Sequence, residues 1–190
     1  MAFQIVTPPV VAAVELADMK AHLRVTSSAE DAVIVSCVAV ATAEIEKILG
    51  GALITQTGEI RVPPFGAAPF EIQIAPLQEV VAVECILSDG STAPIDMLDF
   101  EVWDDDGAAY LRVTAWPGTV ATRPDAVKLT IRAGYGDAPE DIPAPLQYAV
   151  KLLAAHRFEH REEVVIGGTP AQIPRGVDAL LGLYRRRWFQ

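Results

Sequence analysis

The chain has 190 residues, of which 51% are apolar and 21% charged, and its net charge is −10. That length and composition suit a folded domain with one sizeable core, or a core and a satellite. The acidic balance argues against a protein that grips nucleic acid, because such a grip needs a basic surface to displace counterions. A surface past which DNA slides without sticking remains compatible with it.

Residues 1–13 read as an extended arm, since Thr7-Pro8-Pro9 forbids a helix there. The start, MAFQIVTPPVV, lacks the basic n-region of a secretory leader. Residues 15–24 form a short amphipathic helix with Leu16, Met19 and Leu23 on one face, broken by Thr26-Ser27-Ser28. Ser27-Ser28-Ala29-Glu30 fits a capping box and opens a second helix, which runs to about Leu49 and stops at Gly50-Gly51. Ile34, Val38, Ala41, Ile45 and Ile48 make its main stripe, and Val33, Cys37 and Val40 a second one. A helix apolar over so wide an arc wants cover on two sides. It is either a central core helix or one whose second side, at Val33, Cys37 and Val40, packs on a neighbouring subunit. Its uncharged run, residues 32–43, falls well short of the ~20 residues that a membrane span needs. No membrane partner and assembly in the cytoplasm are therefore expected. Cys37 and Cys85 lie in apolar runs and are expected to be reduced core residues.

From Leu53 the texture changes. ITQTGEIRV, FEIQIA, EVVAVECIL, FEVW, YLRVTA and AVKLTIRAG are short, β-branched and partly alternating, and Pro, Gly, Asp and Ser clusters separate them. They predict an antiparallel β region of about six strands inserted between helical segments, which makes the class α+β. Gly134-Tyr135-Gly136-Asp137 ends it. Residues 142–165 then read as a long helix: Pro143 and Pro145 suit its first turn, and Leu146, Ala149, Val150 and Leu153 form its stripe. Gly167-Gly168-Thr169-Pro170 makes a loop, and residues 177–184 a last short helix. The expected organisation is an N-terminal arm with two helices (1–52), an inserted antiparallel β region (53–136), one long and one short C-terminal helix completing the helical core (137–184), and a tail (185–190). The tail, Arg185-Arg186-Arg187-Trp188-Phe189-Gln190, reads either as a charged end or as a docking arm, because arginine and aromatic residues concentrate binding energy at interfaces.

Little in the chain suggests catalysis. His156-Arg157-Phe158-Glu159-His160 matches the inverted zincin pattern, in which two imidazoles hold a metal and the Glu is the base, and would make a small metal-dependent hydrolase. Such a site needs a third ligand. The only acids after His160 are Glu162 and Glu163, on the same predicted helix, and Asp178. The other reading is a polar helix end near an interface, and it is the one adopted, with no metal and no cofactor. Trp103-Asp104-Asp105-Asp106-Gly107 lacks calcium-loop spacing and reads as a hairpin turn. Neither a nucleophile elbow nor a phosphate-binding glycine loop is present in the sequence.

The order of segments resembles the head–tail connector (adaptor) proteins of long-tailed double-stranded DNA bacteriophages and of phage-like gene transfer agents. The residues that carry the resemblance are LADMKAHLRV (16–25), Glu30-Asp31, ALITQT (52–57), Pro76-Leu77-Gln78, RPDAV (123–127), AGYGD (133–137), AHRFEHRE (155–162) and Tyr184-Arg185. They span residues 8 to 185 or so. In such proteins the position of His160 is often a non-ligand polar residue. The resemblance implies a structural protein without catalysis, in a homo-oligomeric ring of about a dozen subunits. The ring sits between the portal protein and the next tail-completion (stopper) protein, and double-stranded DNA passes through its lumen without specific binding. It also implies that Arg185, Arg186, Arg187, Trp188 and Phe189 reach the portal. The expected location is a virion or phage-like particle assembled in a bacterial cytoplasm. A stand-alone protein-binding module is the remaining alternative.

Overall fold

The computed structural model describes residues 3–66, 68–105, 108–160 and 175–185. Four helices are formed: α1 (Leu16–Leu23), α2 (Asp31–Leu49), α3 (Ala144–Glu159) and α4 (Arg175–Gly182). They cluster, with the segment Ala52 to Ile54, into one unit, Val10–Ile54 and Tyr135–Gln190. Its centre is the contact of α2 with α3. Ile34, Val38, Ala41 and Ile45 of α2 face Leu146, Ala149, Val150 and Leu153 of α3 in one apolar cluster, which Met19 of α1 and Val177 and Leu181 of α4 complete.

The helix ends follow from local chemistry. Gly50 adopts the left-handed conformation (φ 65°) that closes α2 and that glycine enters without a Cβ penalty. The expected capping box does not form: Ser27 Oγ accepts a hydrogen bond from Ala29 N at 3.1 Å, a local turn, and α2 starts at Asp31 with Glu30 in the cap position. α3 ends at Glu159, short of the expected residue 165. His160 has left helical geometry (φ −114°, ψ 75°), and residues 161–174 lie outside the described ones.

The second unit is Met1–Pro9 with Thr55–Gly134. It holds two antiparallel sheets. The first has the order β1 (Gln4–Thr7), β2 (Gln56–Val62), β8 (Val127–Ala133), β4 (Leu77–Ile86), β5 (Thr92–Ile95); the second has the order β3 (Phe70–Ile72), β7 (Ala108–Val113), β6 (Phe100–Asp105). β2 and β8 pair without a shift from Gln56↔Ala133 to Val62↔Val127, so their alternation puts Ile60, Val62, Leu129 and Ile131 inward together. On the other face Lys128 lies between Glu84 and Glu59, and its hydrogen bond to Glu84 is the leading cause of a pKa above the ordinary lysine value.

Six strands correspond to the six apolar runs of the sequence. The two it did not signal are both edges. β5 contains Pro94, which tells against a strand but is tolerated at an edge. β1 is four residues long, and all four are exposed. It pairs with β2, so the arm that the sequence grouped with the helices lies with the sheet.

Candidate assembly surfaces

The sequence offered two candidate surfaces, a face of α2 and the C-terminal tail. Along α2 every side chain from residue 32 to residue 43 is uncharged. Ile34, Val38 and Ala41 point into the core, whereas Ala32, Val35, Ser36, Ala39, Val40 and Ala43 are exposed. Val35 is 52% and Val40 46% exposed. Of the predicted interface residues, Val40 belongs to this open strip. Val33 and Cys37 are half-buried on its border with the core stripe. Sequence reading missed Val35, Ser36 and Ala39, although the absence of charge over three helical turns was the available signal. Four of the six side chains are alanine or serine, so a partner helix could approach this strip closely.

The motif residues behind the family resemblance hold the helices in place. Lys20 Nζ of α1 meets Asp31 of α2 at 2.6 Å, and Asp18 of α1 meets Lys151 of α3 at 3.1 Å. Arg157 of α3 pairs with Glu44 of α2. Each pair among α1, α2 and α3 thus carries one ion pair above the shared apolar core. Glu46 Oε1 accepts from Leu53 N at 2.8 Å and ties the chain after α2 back onto it.

In the β unit, Gln78 Nε2 donates to Thr55 Oγ1 (2.8 Å) and to the Gly134 carbonyl (2.9 Å), while Gln78 Oε1 accepts from Arg132. Arg123 grips Asp125 with two hydrogen bonds, of 2.5 and 2.8 Å, just before β8. That grip is the main cause of an Asp125 pKa below the usual carboxylate range. In the helical unit, Gly136 must lack a side chain because a Cβ there would overlap the Asp141 carboxylate, which accepts from Ala138 N at 3.0 Å.

The His156–His160 string forms no converging ligand set. The two rings lie 4.5 Å apart, tilted by 35°, and His160 Nδ1 sits 3.0 Å from the His156 carbonyl oxygen, so that nitrogen is engaged in closing the helix. Arg157, between them, is committed to Glu44. Among the described residues no group of three or more His, Cys, Asp or Glu could hold a metal ion. No helix among them is long and apolar enough to cross a membrane. Neither Cys37 nor Cys85 is in a disulfide; burial raises the pKa of Cys85.

Of the tail, Arg185 is described. Its guanidinium meets Asp178 of α4 at 2.7 Å and is spoken for within the chain. Arg186, Arg187, Trp188 and Phe189 lie outside the described residues.

The model of the phage gp6-like head-tail connector protein family matches residues 13–82, which include α1, α2 and the start of the sheet. No curated protein matches the sequence. Among solved structures, a chain from the neck of an empty gene transfer agent particle, computed with C6 symmetry, is similar with a TM-score of 0.75 and 26% identity. The match covers 97% of this chain and 95% of that one. A chain of a native gene transfer agent virion matches with the same TM-score and coverage at 27% identity. So does a chain from the neck of the native particle, computed with C12 symmetry, at 25%. These likenesses extend over both units, where the family model reaches only part of the sheet. By motif order, by the family match over residues 13–82 and by fold over nearly its whole length, the chain is similar to the head–tail connector proteins of phages and gene transfer agents.

Proposed function

We propose that the protein is a structural head–tail adaptor of a tailed phage or phage-like gene transfer agent particle. The observation that carries this reading is the structural likeness to gene transfer agent neck proteins over 97% of the chain. The components it resembles are structural parts of a particle, and a non-enzymatic role accords with His160 closing a helix and Arg157 bonded to Glu44.

The finer reading is a ring of about a dozen copies between the portal and the next tail-completion protein. The symmetry of the similar neck supports the ring. The open strip of α2, with Val40 in it and Val33 and Cys37 at its border, supplies a surface on which the next copy can pack. The net charge of −10 suits a passage that must let DNA through without holding it. Arg186, Arg187, Trp188 and Phe189 supply an arm for the portal; Arg185 is its base, anchored on Asp178. Weak contacts of this kind gain strength when repeated around a ring.

The test is complementation of a strain lacking the gene, followed by electron microscopy of its particles with the protein carrying a visible tag. The tag is expected as a ring at the neck. With the chain cut after Arg185, filled heads without tails are expected. A tag elsewhere in the particle, or tailed particles in normal number without the gene, refutes the adaptor role. Normal tailing by the truncated chain refutes the docking arm alone.

A further inference from the structure

The stretch Asp96-Met97-Leu98-Asp99-Phe100-Glu101-Val102-Trp103-Asp104-Asp105 carries four exposed large apolar side chains. Met97 is 65% and Leu98 90% exposed, and Val102 and Trp103 are each more than a third exposed. Five carboxylates are interleaved with them, and no basic residue. Exposed apolar side chains gathered along one sheet edge are a feature of interaction sites.

The strip is also braced by hydrogen bonds. The Asp96 carboxylate accepts from Leu98 N at 2.9 Å, which fixes the tight helical turn at Met97–Asp99. The Asp99 carbonyl accepts from Thr114 N at 2.7 Å and ties that turn to the end of β7. β6 follows directly. It pairs with β7 along its whole length, from Phe100↔Val113 to Asp105↔Ala108, with no bulge. Its other edge is paired with no strand among the described residues. That edge carries no proline, lysine or bulge, three common devices that blunt an open edge. On its solvent face Trp103 stacks on Tyr110 (5.8 Å, 21°) and Arg112 lies 5.9 Å over the Trp103 ring, held there by Glu101 at 2.5 Å. A tryptophan, a tyrosine and an arginine set in fixed positions are the residue types that dominate binding energy.

We infer that the β6 edge and the Met97–Leu98 turn form a docking site for an extended segment of a different protein, which adds to β6 as a fourth strand and carries lysine or arginine at alternate positions. Main-chain hydrogen bonds to the open edge give such a strand its affinity, and its alternate side chains read the edge. Those it sets beside Glu101, Trp103 and Asp105 meet a carboxylate, an aromatic ring and a carboxylate in turn, so a cation fits beside each. The same charges exclude a second copy of this chain. Antiparallel self-pairing centred on Trp103 would oppose Glu101 of one copy with Asp105 of the other. The inference does not depend on the ring or on the adaptor role.

The test uses the full chain and two synthetic peptides of identical composition, one alternating lysine and valine and one with the lysines and valines in separate blocks. Hydrogen exchange is read amide by amide. The alternating peptide is expected to slow exchange along β6 and to bind about tenfold or more tightly than the block peptide. Leu98→Ala and Val102→Lys should each weaken it by about tenfold, the size of a hot-spot truncation. Equal binding of the two peptides means that charge alone is at work and overturns the proposal. Protection elsewhere than β6, or no protection, overturns it too, and these readouts need no variant.

Discussion

Consider Val40→Lys. In the isolated chain the side chain is 46% exposed and lies on the solvent side of α2. Lysine is a better helix former than valine. The expected change in folding stability is that of an ordinary surface substitution, within about 0.5 kcal/mol. Against a neighbouring copy the ledger differs. About half of a valine, on the order of 70 Å² of apolar surface, stands to be buried there, and losing that burial costs about 2 kcal/mol. A lysine head group left unpaired in the contact adds at least ~2 kcal/mol more. A loss of about 4 kcal/mol weakens each contact roughly a thousandfold. Thermal melts by circular dichroism should therefore match the parent, while incorporation into particles, counted from purified neck fractions, collapses. Val38→Lys is the contrast: at 3% exposure it should lose the fold itself. A Val40→Lys protein that melts normally and still enters particles in normal number would show that the strip is not the contact between copies.

Two further outcomes follow from local geometry. Gly136→Ala should destabilise the helical unit by about 1–3 kcal/mol, because the methyl group displaces the Asp141 carboxylate from its bond to Ala138; an unchanged denaturation midpoint would contradict this. Asp125 should titrate below an ordinary aspartate in a carboxyl-detected NMR titration, and Arg123→Gln should return it to the usual range. A carboxyl depressed in the folded state contributes stability that is full above its unfolded pKa and fades as the pH falls through the folded value. The parent should therefore lose that contribution on acidification, and the variant should have none to lose.

Much of the architecture was legible because single forces decided it. The stripe Ile34-Val38-Ala41-Ile45 and the alternation of VKLTIRA each serve one buried face, and one period reveals them. The edge strands were not legible. β1 buries none of its four residues and β5 only Ile95, and both exist because β2 and β4 offer them a partner, which is a tertiary cause invisible to local pattern. The capping box failed because Ser27 satisfied a nearer donor, which a spacing rule cannot rank. Of the candidate surfaces, the width of the apolar arc on α2 was readable, but which residues open to solvent depends on where α3 packs. The strip around Trp103 read as a mere hairpin. What that reading lacked was the strand order, since only the position of β6 at the end of its sheet turns those residues into an edge.

The hydrogen bond from Tyr135 N to the Leu53 carbonyl, at 3.1 Å, and the bridge between Ile54 and Gly136 make the two ends of the inserted segment neighbours. A loop whose ends already touch can change in length at a penalty that grows only with the logarithm of that length. The segment between Thr55 and Gly134 is therefore an insert whose length can change, with β1 of the N-terminal arm as the strand it takes from outside. A lineage can lengthen, trim or replace it while α2 and α3 keep their contact. Surfaces built on this insert, such as the β6 edge, can change without touching the core between α2 and α3.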